Sequence, residues 1–408
     1  MQSFIKRTRT FLTPSGSSAN LAAAGSFRTE KTVTALFPQT DPAVDGDDCL
    51  HDCASCVETL PRKWSIDEDD ALYGEVKGWQ THLVIGTGKR DWVRDVTDEK
   101  GSLMQAVGKV GLELGNGKVM LSASDLPSGH CSMASEWETT TVGKEEEEYP
   151  DGGRTRCLVL PRWEWVEGVG TDEAKWLLEE VVGKGITNET PLSDDTSKPK
   201  RVSLEKDRDG EFVVQKEEEV EKVTTDVPDM TELSIQEKQP NGDSNSQPVD
   251  AQKPPVGISN ALKPADVTIK PCQHRAIILM CSHGTRDWRC GKSAPILRRE
   301  FERHLRPLGL YRDFSDDRPG GVGIYFINHV GGHKYSANVM IYRREGQKKE
   351  DAKEETLRDE AVQGIWLARV RPEDCENIVK YTVLQGKLVK PQRQLRGGFD
   401  RERGVLSW

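Results

Sequence analysis

The 408-residue chain contains one short pattern twice. Residues 82–92 have the sequence HLVIGTGKRDW and residues 276–288 have AIILMCSHGTRDW, so in each copy an apolar, β-rich run enters a Gly-containing turn that ends in Arg-Asp-Trp. A second pair of similar stretches, from residue 157 and from residue 365, each predicts a strand followed by an amphipathic helix that ends at a glycine. Two matches in the same order indicate an internal duplication. The chain is therefore expected to fold as two related halves.

The second half shows the fuller order of elements. After its apolar strand, Ser293 is placed to cap a helix in which Leu297, Phe301 and Leu305 share one face. The segments GVGIYF and SANVMIY are predicted to be two paired strands, and a last strand and helix follow. This order is typical of thioredoxin-like domains. The sequence therefore predicts an α/β fold of two thioredoxin-like domains in tandem.

Composition divides the rest of the chain. Residues 189–264 are rich in Pro, Ser, Asp, Lys and Glu and have almost no aromatic side chain, so they cannot bury a core and are predicted to form a long disordered acidic linker. The predicted domains are then residues 46–188 and residues 265–408. Residues 1–45 form a predicted N-terminal tail. Its first 29 residues contain four basic residues and no acid, which is typical of a mitochondrial targeting segment and equally of a plain tail.

Charge and cysteine content exclude several classes of protein. With a net charge of −10, the chain gains little from nucleic-acid phosphates or anionic lipid. No window approaches the roughly 20 apolar residues of a membrane helix. We therefore expect neither nucleic acid nor membrane as a partner. Nine cysteines in no regular framework, with eight histidines, indicate a reducing compartment and metal or redox chemistry.

The candidate chemistry lies in the second half. Eight residues separate Cys281 from Cys290, thirty-eight more lead to His329, and three separate His329 from His333. Aligned on Arg-Asp-Trp, the first half has Ile and Arg where the second has its two cysteines, so the first half lacks these ligands and is interpreted as a structural or docking copy.

Several kinds of site were compared with this spacing. A phosphatase loop needs five residues between its Cys and Arg, whereas four separate Cys281 from Arg286, and Arg286 also stands where a Walker A loop needs Gly. The spacing is wrong for a zinc finger, but an irregular structural zinc site remains open, as do buried cysteines and histidines without a ligand. Rieske centres hold a [2Fe–2S] cluster with thiolates and imidazoles. They take one Cys and one His from each of two loops, whereas in this sequence the two cysteines are close to each other and the two histidines are close to each other.

The spacing instead resembles that of thioredoxin-like [2Fe–2S] ferredoxins, with H-x3-H in place of their second cysteine pair. Three stretches, LYGEVKGWQTHLVIGTGKRDW, CSHGTRDWRCG and HVGGHKYSAN, resemble the fungal sucrase/ferredoxin-like family, which includes the actin patches distal and altered inheritance of mitochondria proteins. The resemblance implies a bis-histidinyl [2Fe–2S] cluster on Cys281, Cys290, His329 and His333 and a role in electron transfer or redox homeostasis. It names no redox partner protein.

Other cysteines leave further hypotheses open. Cys49, Cys53 and Cys56 have the spacing of a radical-SAM [4Fe–4S] site, but no series of strand–helix repeats follows to build a barrel. A second metal site, a redox-active Cys53/Cys56 pair and unliganded thiols are the alternatives. His283 is kept as an alternative ligand or proton donor. Four cysteines carry no motif: Cys131, Cys157, Cys272 and Cys375.

The C-terminal residues Leu406, Ser407 and Trp408 resemble the tripeptide by which the cytosolic iron–sulfur assembly machinery selects its clients. This favours a cytoplasmic protein, with the mitochondrion as the alternative from the N-terminal composition. The sequence thus predicts an electron carrier rather than an enzyme with its own substrate. The alternative is a zinc-stabilised thioredoxin-like interaction module.

Overall fold

The computed structural model describes residues 27–128, 154–192, 204–206, 212–214, 263–347 and 356–408. Residues 1–26 of the predicted targeting segment and most of the predicted linker, as well as Cys131, lie outside these residues. The strands are β1 Arg28–Thr29, β2 Thr81–Gly86, β3 Glu113–Leu114, β4 Gly117–Ser124, β5 Thr155–Leu160, β6 Glu164–Val169, β7 Leu204–Lys206, β8 Phe212–Val214, β9 Thr268–Pro271, β10 Ala276–Cys281, β11 Tyr311–Arg312, β12 Val322–Ile327, β13 Val339–Arg343, β14 Gly346–Gln347, β15 Thr356–Leu357, β16 Gln363–Leu367, β17 Leu395–Asp400 and β18 Val405–Leu406.

The helices are α1 Val33–Leu36, α2 Pro42–Asp45, α3 Leu103–Val110, α4 Ala174–Trp176, α5 Trp288–Leu305, α6 Cys375–Asn377 and α7 Pro391–Gln394. Helices α4 and α6 continue directly as π-helical segments, Leu177–Val182 and Ile378–Val383. None of the helices in the described part of the chain is long and apolar enough to cross a membrane.

One large sheet of fourteen strands dominates the molecule, and the mixed α/β class is confirmed. The two halves contribute to it with the same strand order. In the second half β10 pairs in parallel with β12 and antiparallel with β13, and β13 pairs antiparallel with β16. In the first half β2 pairs in the same way with β4 and β5, and β5 with β6. The repeated sequence pattern thus corresponds to a repeated sheet topology.

Alternation along the strands separates two kinds of core. In β10, Ile278 and Met280 face the helical side of the second half, where α5 contributes Leu297, Phe301 and Leu305. The first half has its own helical side with α3 and the helix after β6. On the opposite face the halves share one core that contains Val84, Ile277 and Trp366. Since His82 in β2 contacts Tyr342 in β13 across this core, the two halves of the sheet fold toward each other.

The halves are also joined along the sheet. Edge strands β4 and β12 pair antiparallel at Ser124 and Ile327. The outer edges are exchanged: β1, from the start of the described chain, pairs with β18 in the second half, and β9 pairs with β6 in the first. Within the predicted linker, the described residues form the short antiparallel pair β7–β8.

Two details of the second half differ from the prediction. Helix α5 begins at Trp288 rather than after Ser293, because the Asp287 side chain accepts a hydrogen bond from the backbone N–H of Arg289 at 2.9 Å and caps the helix there. Strands β12 and β13 do not pair with each other. Each pairs with β10, which lies between them.

Candidate metal centre

The two cysteines of the candidate site lie on adjoining elements. Cys281 is the last residue of β10, and Cys290 lies in the first turn of α5. Both are buried and neither forms a disulfide. The turn between them leads from the carboxyl end of the strand into the amino end of the helix, where the helix dipole favours negative charge. This position suits a thiolate.

The two thiols interact. Cys290 accepts hydrogen bonds from Cys281, first in importance, and from His329 and Ser336, which together lower its pKa to about 5, while the same partnership raises the pKa of Cys281 well above its usual value. The hydroxyl of Ser336 lies 3.8 Å from the Cys290 sulfur. The hydrogen bonds to Cys290 therefore favour its thiolate, the form that binds metal.

The histidines lie on the loop after β12. The Nδ1 atom of His329 is 4.0 Å from the Cys281 sulfur. The ligand atoms of Cys281, Cys290 and His329 all lie within 4.8 Å of one another. His333 lies outside that group, but its ring centre is 5.2 Å from that of His329 and its buried Nδ1 has no hydrogen-bond partner among the described residues. The structure thus brings all four predicted residues to one place and leaves an imidazole nitrogen there without a protein partner.

Glycines and one arginine shape this histidine loop. Gly331 and Gly332 have positive φ values of 91° and 67°, and a Cβ on Gly332 would lie 2.7 Å from the Arg396 guanidinium. Nη1 of Arg396 donates to the Gly331 carbonyl at 3.1 Å and to the Asn338 side-chain oxygen at 2.8 Å. The Asn338 amide in turn donates to the Gly332 carbonyl at 3.0 Å. These hydrogen bonds therefore fix the conformation of the histidine loop.

Arg396 also brings a charge to the site. Burial, as its guanidinium lies against Trp366, lowers the pKa of Arg396 to about 10, whereas the neighbouring Tyr335 and Cys281 act in the opposite direction. A buried cation near Cys281 stabilises an anionic centre.

His283 does not offer a free nitrogen. Its Nε2 donates to the Trp92 carbonyl at 2.9 Å, and its Nδ1 accepts the backbone N–H of His329 at 3.2 Å. Burial lowers its pKa, which agrees with a neutral ring. His283 therefore holds the histidine loop in position, and its use as an alternative ligand would break both hydrogen bonds.

The first half closes over the cysteine loop with its own Arg-Asp-Trp motif. The backbone N–H of Thr285 donates to both carboxylate oxygens of Asp91 at 3.0 Å, and its hydroxyl donates to one of them at 2.9 Å. Ser282 donates to the Arg90 carbonyl at 2.7 Å. Among the described residues, the first half thus contributes no cysteine to this group but holds the loop that carries Cys281 and Cys290.

The remaining cysteines are dispersed. Within the described residues, the only other group of metal-type side chains is Cys53, His304 and Glu376. Neither group contains Cys49 or Cys56, so the three N-terminal cysteines do not converge as a radical-SAM site requires. Three further cysteines are buried without a metal-type neighbour group: Cys157, Cys272 and Cys375.

The C-terminal tripeptide is packed against the fold. Leu406 belongs to β18, Ser407 is buried, and the Trp408 ring lies 4.5 Å from that of Trp79. The Trp408 carbonyl accepts a hydrogen bond from Thr29 at 2.7 Å.

The mixed α/β fold places two thiols and two imidazoles near the end of the central strand β10. The protein is therefore of the α/β class with a candidate cysteine–histidine metal centre. The sucrase/ferredoxin-like family profile matches residues 72–397. The chain belongs to that family. No solved structure was found to match it significantly.

Curated relatives match a shorter part of the chain. Actin patches distal protein 1 of Saccharomyces cerevisiae is 46% identical over 112 residues, which is 28% of this chain and 31% of that protein. Altered inheritance of mitochondria protein 32 is 33% identical over 131 residues in Meyerozyma guilliermondii, covering 32% of this chain and 35% of that protein. The same protein in Debaryomyces hansenii is 37% identical over 114 residues, covering 28% and 33%. The aligned region thus spans about a third of each of these relatives.

Sequence reasoning missed the residues that support the site. Arg396 comes from β17, 63 residues after His333, and no local pattern connects them. Asp91 belongs to the repeated Arg-Asp-Trp motif, and the presence of this motif in the half that lacks Cys281 and Cys290 is a signal that it serves the other half.

Proposed function

We propose that this protein transfers electrons through a [2Fe–2S] cluster bound by Cys281, Cys290, His329 and His333. The observation that carries the proposal is the convergence of two thiols and His329 within 4.8 Å, next to an unpartnered His333 nitrogen. Such a cluster, when bound, accepts and releases one electron at a time. Membership of the sucrase/ferredoxin-like family supports a ferredoxin-like role in general.

The chain's own residues would serve this role in distinct ways. The thiols are buried, whereas the loop from His329 to His333 is only half-buried. The imidazoles therefore form the side of the site nearer to solvent, from which a partner protein is reached. The Arg396 guanidinium offsets the negative charge of a bound cluster. The hydrogen bonds that hold the histidine loop reduce the rearrangement of this loop between oxidation states.

The arrangement of strands and helices within each half supports the same function. We infer that each half is a thioredoxin-like unit, because β4-β2-β5-β6 and β12-β10-β13-β16 share one order with one parallel pair at the same end. In each half a helix connects the two parallel strands and another follows the last strand. Only the second unit carries Cys281 and Cys290.

The test is the protein purified without air. It should be reddish-brown, contain two iron and two sulfide per chain, and give a paramagnetic signal on reduction. Cys281→Ser and Cys290→Ser should lose the colour because a hydroxyl oxygen is a harder ligand than a thiolate. Cys272→Ala, which removes another buried thiol outside the site, is the matched control and should keep it.

A colourless protein with one zinc per chain, lost on Cys281→Ser, would contradict the proposal. It would favour the zinc-stabilised interaction module, since two thiols and two imidazoles also suit structural zinc.

The names of the relatives and the C-terminal residues both bear on the compartment and on an assembly partner. The relatives' names refer to actin patches in one case and to mitochondria in the other. We propose the cytosol, with the mitochondrion as alternative, because the C-terminal Leu-Ser-Trp would be read by the cytosolic iron–sulfur assembly machinery. Fractionation with an antibody, rather than a C-terminal tag, distinguishes the two.

A further inference from the structure

A second group of metal-type side chains lies at the other end of α5. The sulfur of Cys53, a ring nitrogen of His304 and a carboxylate oxygen of Glu376 all lie within 4.8 Å of one another. His304 follows Cys290 by fourteen residues on the same helix. At a rise of about 1.5 Å per residue the two groups are about 20 Å apart. This group is therefore separate from the proposed cluster.

The distance between the sulfur and the imidazole nitrogen fits two ligands of one tetrahedral ion. The Cys53 sulfur lies 3.8 Å from Nε2 of His304. With Zn–S near 2.3 Å and Zn–N near 2.0 Å, two ligands of one zinc ion stand about 3.5 Å apart. The backbone N–H of Cys53 donates to the Glu373 carbonyl at 3.0 Å, which fixes the thiol beside the helix that carries Glu376. The donor set of thiolate, imidazole and carboxylate is one that zinc accepts.

Two of the three ligand atoms already point at one positive charge. Nη2 of Arg303 lies 2.9 Å from Nε2 of His304 and 3.5 Å from the Cys53 sulfur. Because a guanidinium only donates hydrogen bonds, the lone pairs of nitrogen and sulfur converge on it. Arg303 also pairs with Glu300 at 2.7 Å, so its head group keeps a partner when a metal ion takes its place.

We propose that Cys53, His304 and Glu376 bind one Zn²⁺ ion, with solvent at the fourth position. Binding releases the Cys53 thiol proton to solvent and displaces the Arg303 head group from the two ligand atoms. The ion then links three segments that are distant in sequence: the arm before β2, the last turn of α5, and α6. This inference goes beyond the proposed function and shares no ligand with it.

Cys56 is not part of the proposed site. Its thiol donates to the Glu58 carbonyl at 3.3 Å, and burial together with the neighbouring Glu300 raises its pKa to about 11. It therefore stays a thiol and supplies a matched control three residues from Cys53.

The experiment uses the full-length, cluster-loaded chain, stripped of loosely bound metal and titrated with Zn²⁺ against a chromophoric chelator. One additional zinc per chain is expected, and Co²⁺ in its place should give a thiolate charge-transfer band. Changing an outer partner of a metal already costs about 10–100-fold in affinity, so loss of a direct ligand should weaken binding by about 100-fold or more. The ligand variants are Cys53→Ser, His304→Gln and Glu376→Gln, and their respective controls are Cys56→Ser, His51→Gln and Glu373→Gln.

The controls should keep zinc, and all six variants should keep their iron and their far-ultraviolet circular dichroism. Arg303→Ala should bind zinc several-fold more tightly, because the competing cation is gone. No zinc uptake by the wild-type chain would overturn the proposal, as would equal uptake by Cys53→Ser and His304→Gln. Zinc that survives these two changes but is lost on Cys281→Ser occupies the first site and also overturns it. A Cys53–Cys56 disulfide without zinc would make the pair a redox couple instead.

Discussion

At the scale of single residues, the candidate centre combines ligands of different charge. Two thiolates and two neutral imidazoles carry two negative charges fewer than four thiolates would. Reduction adds an electron, so it is easier at the less negative centre. His-ligated clusters accordingly reach about −150 to +300 mV, whereas plant-type all-cysteine clusters lie near −400 mV.

The double variant His329→Cys and His333→Cys tests this assignment. It keeps the spacing and gives four thiolates, so the cluster should persist while its reduction potential falls by a few hundred millivolts. The potential is measured by redox titration of the visible absorbance. His283→Cys is no substitute, because it breaks the hydrogen bonds to Trp92 and His329. An unchanged potential in the double variant would show that the two histidines are not ligands.

These four residues could be predicted because each pair is local in sequence and joined to an apolar strand. Arg396 could not, since a buried arginine that donates to the Gly331 carbonyl is brought there by sheet pairing of a later strand. The N-terminal start of α5 was also misplaced. Ser293 and Asp287 are both good capping residues, and only the contact with Arg289 decides between them.

At the scale of elements, the turn between β10 and α5 depends on the first half. Asp91 accepts three hydrogen bonds from Thr285. Asp91 is about half exposed, so their net contribution to stability is about 1 kcal/mol. Its position next to the cysteine loop makes it important for retention of the proposed cluster.

Asp91→Ala should therefore speed the loss of iron to a chelator several-fold, while the free energy of unfolding falls by about 1 kcal/mol. Bleaching of the visible absorbance gives the rate. Asp98→Ala, in the same segment, is the control and should match the wild type. Equal bleaching rates for Asp91→Ala and the wild type would mean that the loop keeps its shape without the first half.

Buried histidines make the shared core sensitive to acid. His82 lies between Tyr342 and Ser122, at 2.9 Å from each hydroxyl, and His274 lies 2.7 Å from the Tyr325 hydroxyl. Burial lowers the pKa of both from 6.5 to about 3. Below pH 6.5 these histidines bind protons in the unfolded chain but not in the folded chain. The stability from these groups is therefore present above pH 6.5 and is lost as pH falls toward 3.

Between pH 6 and pH 4 each histidine should lower the free energy of unfolding by up to about 1.4 kcal/mol per pH unit. Urea unfolding at several pH values measures the slope. His82→Gln keeps a donor and an acceptor but does not titrate, and it should have the smaller slope. Identical slopes for the variant and the wild type would show that His82 is protonated in the folded protein.

At the scale of the whole molecule, the sequence predicted the two halves from their repeat but not how they join. Repeated apolar runs are a strong signal, whereas β1 and β18 are two residues long and have no periodicity. The sheet pairing of β4 with β12 consists of one residue pair, Ser124 and Ile327, and hydrogen bonds of Ala123 with Asn328 and of Asp125 with Phe326 extend it on either side. Only the folded arrangement brings them together.

The C-terminal tripeptide gives a prediction at this scale. Deleting Trp408 should reduce iron loading in cells if the assembly machinery recognises it, whereas chemical reconstitution of the purified variant should restore the cluster. Trp79→Phe, which alters the ring that Trp408 packs on, is the control and should load iron in cells. If reconstitution fails after deletion, Trp408 acts through packing, and the proposed recognition is wrong.

The exchanged edge strands have a consequence for a broken chain. A cut anywhere between residues 192 and 263 leaves β1 on one fragment bound to β18 of the other, and β9 of the second fragment bound to β6 of the first. Each piece thus completes the other's sheet, in addition to the shared core around Trp366. The two fragments should therefore stay together as a heterodimer after nicking and reassemble when co-expressed as separate genes, so that a cut chain still makes one complete molecule.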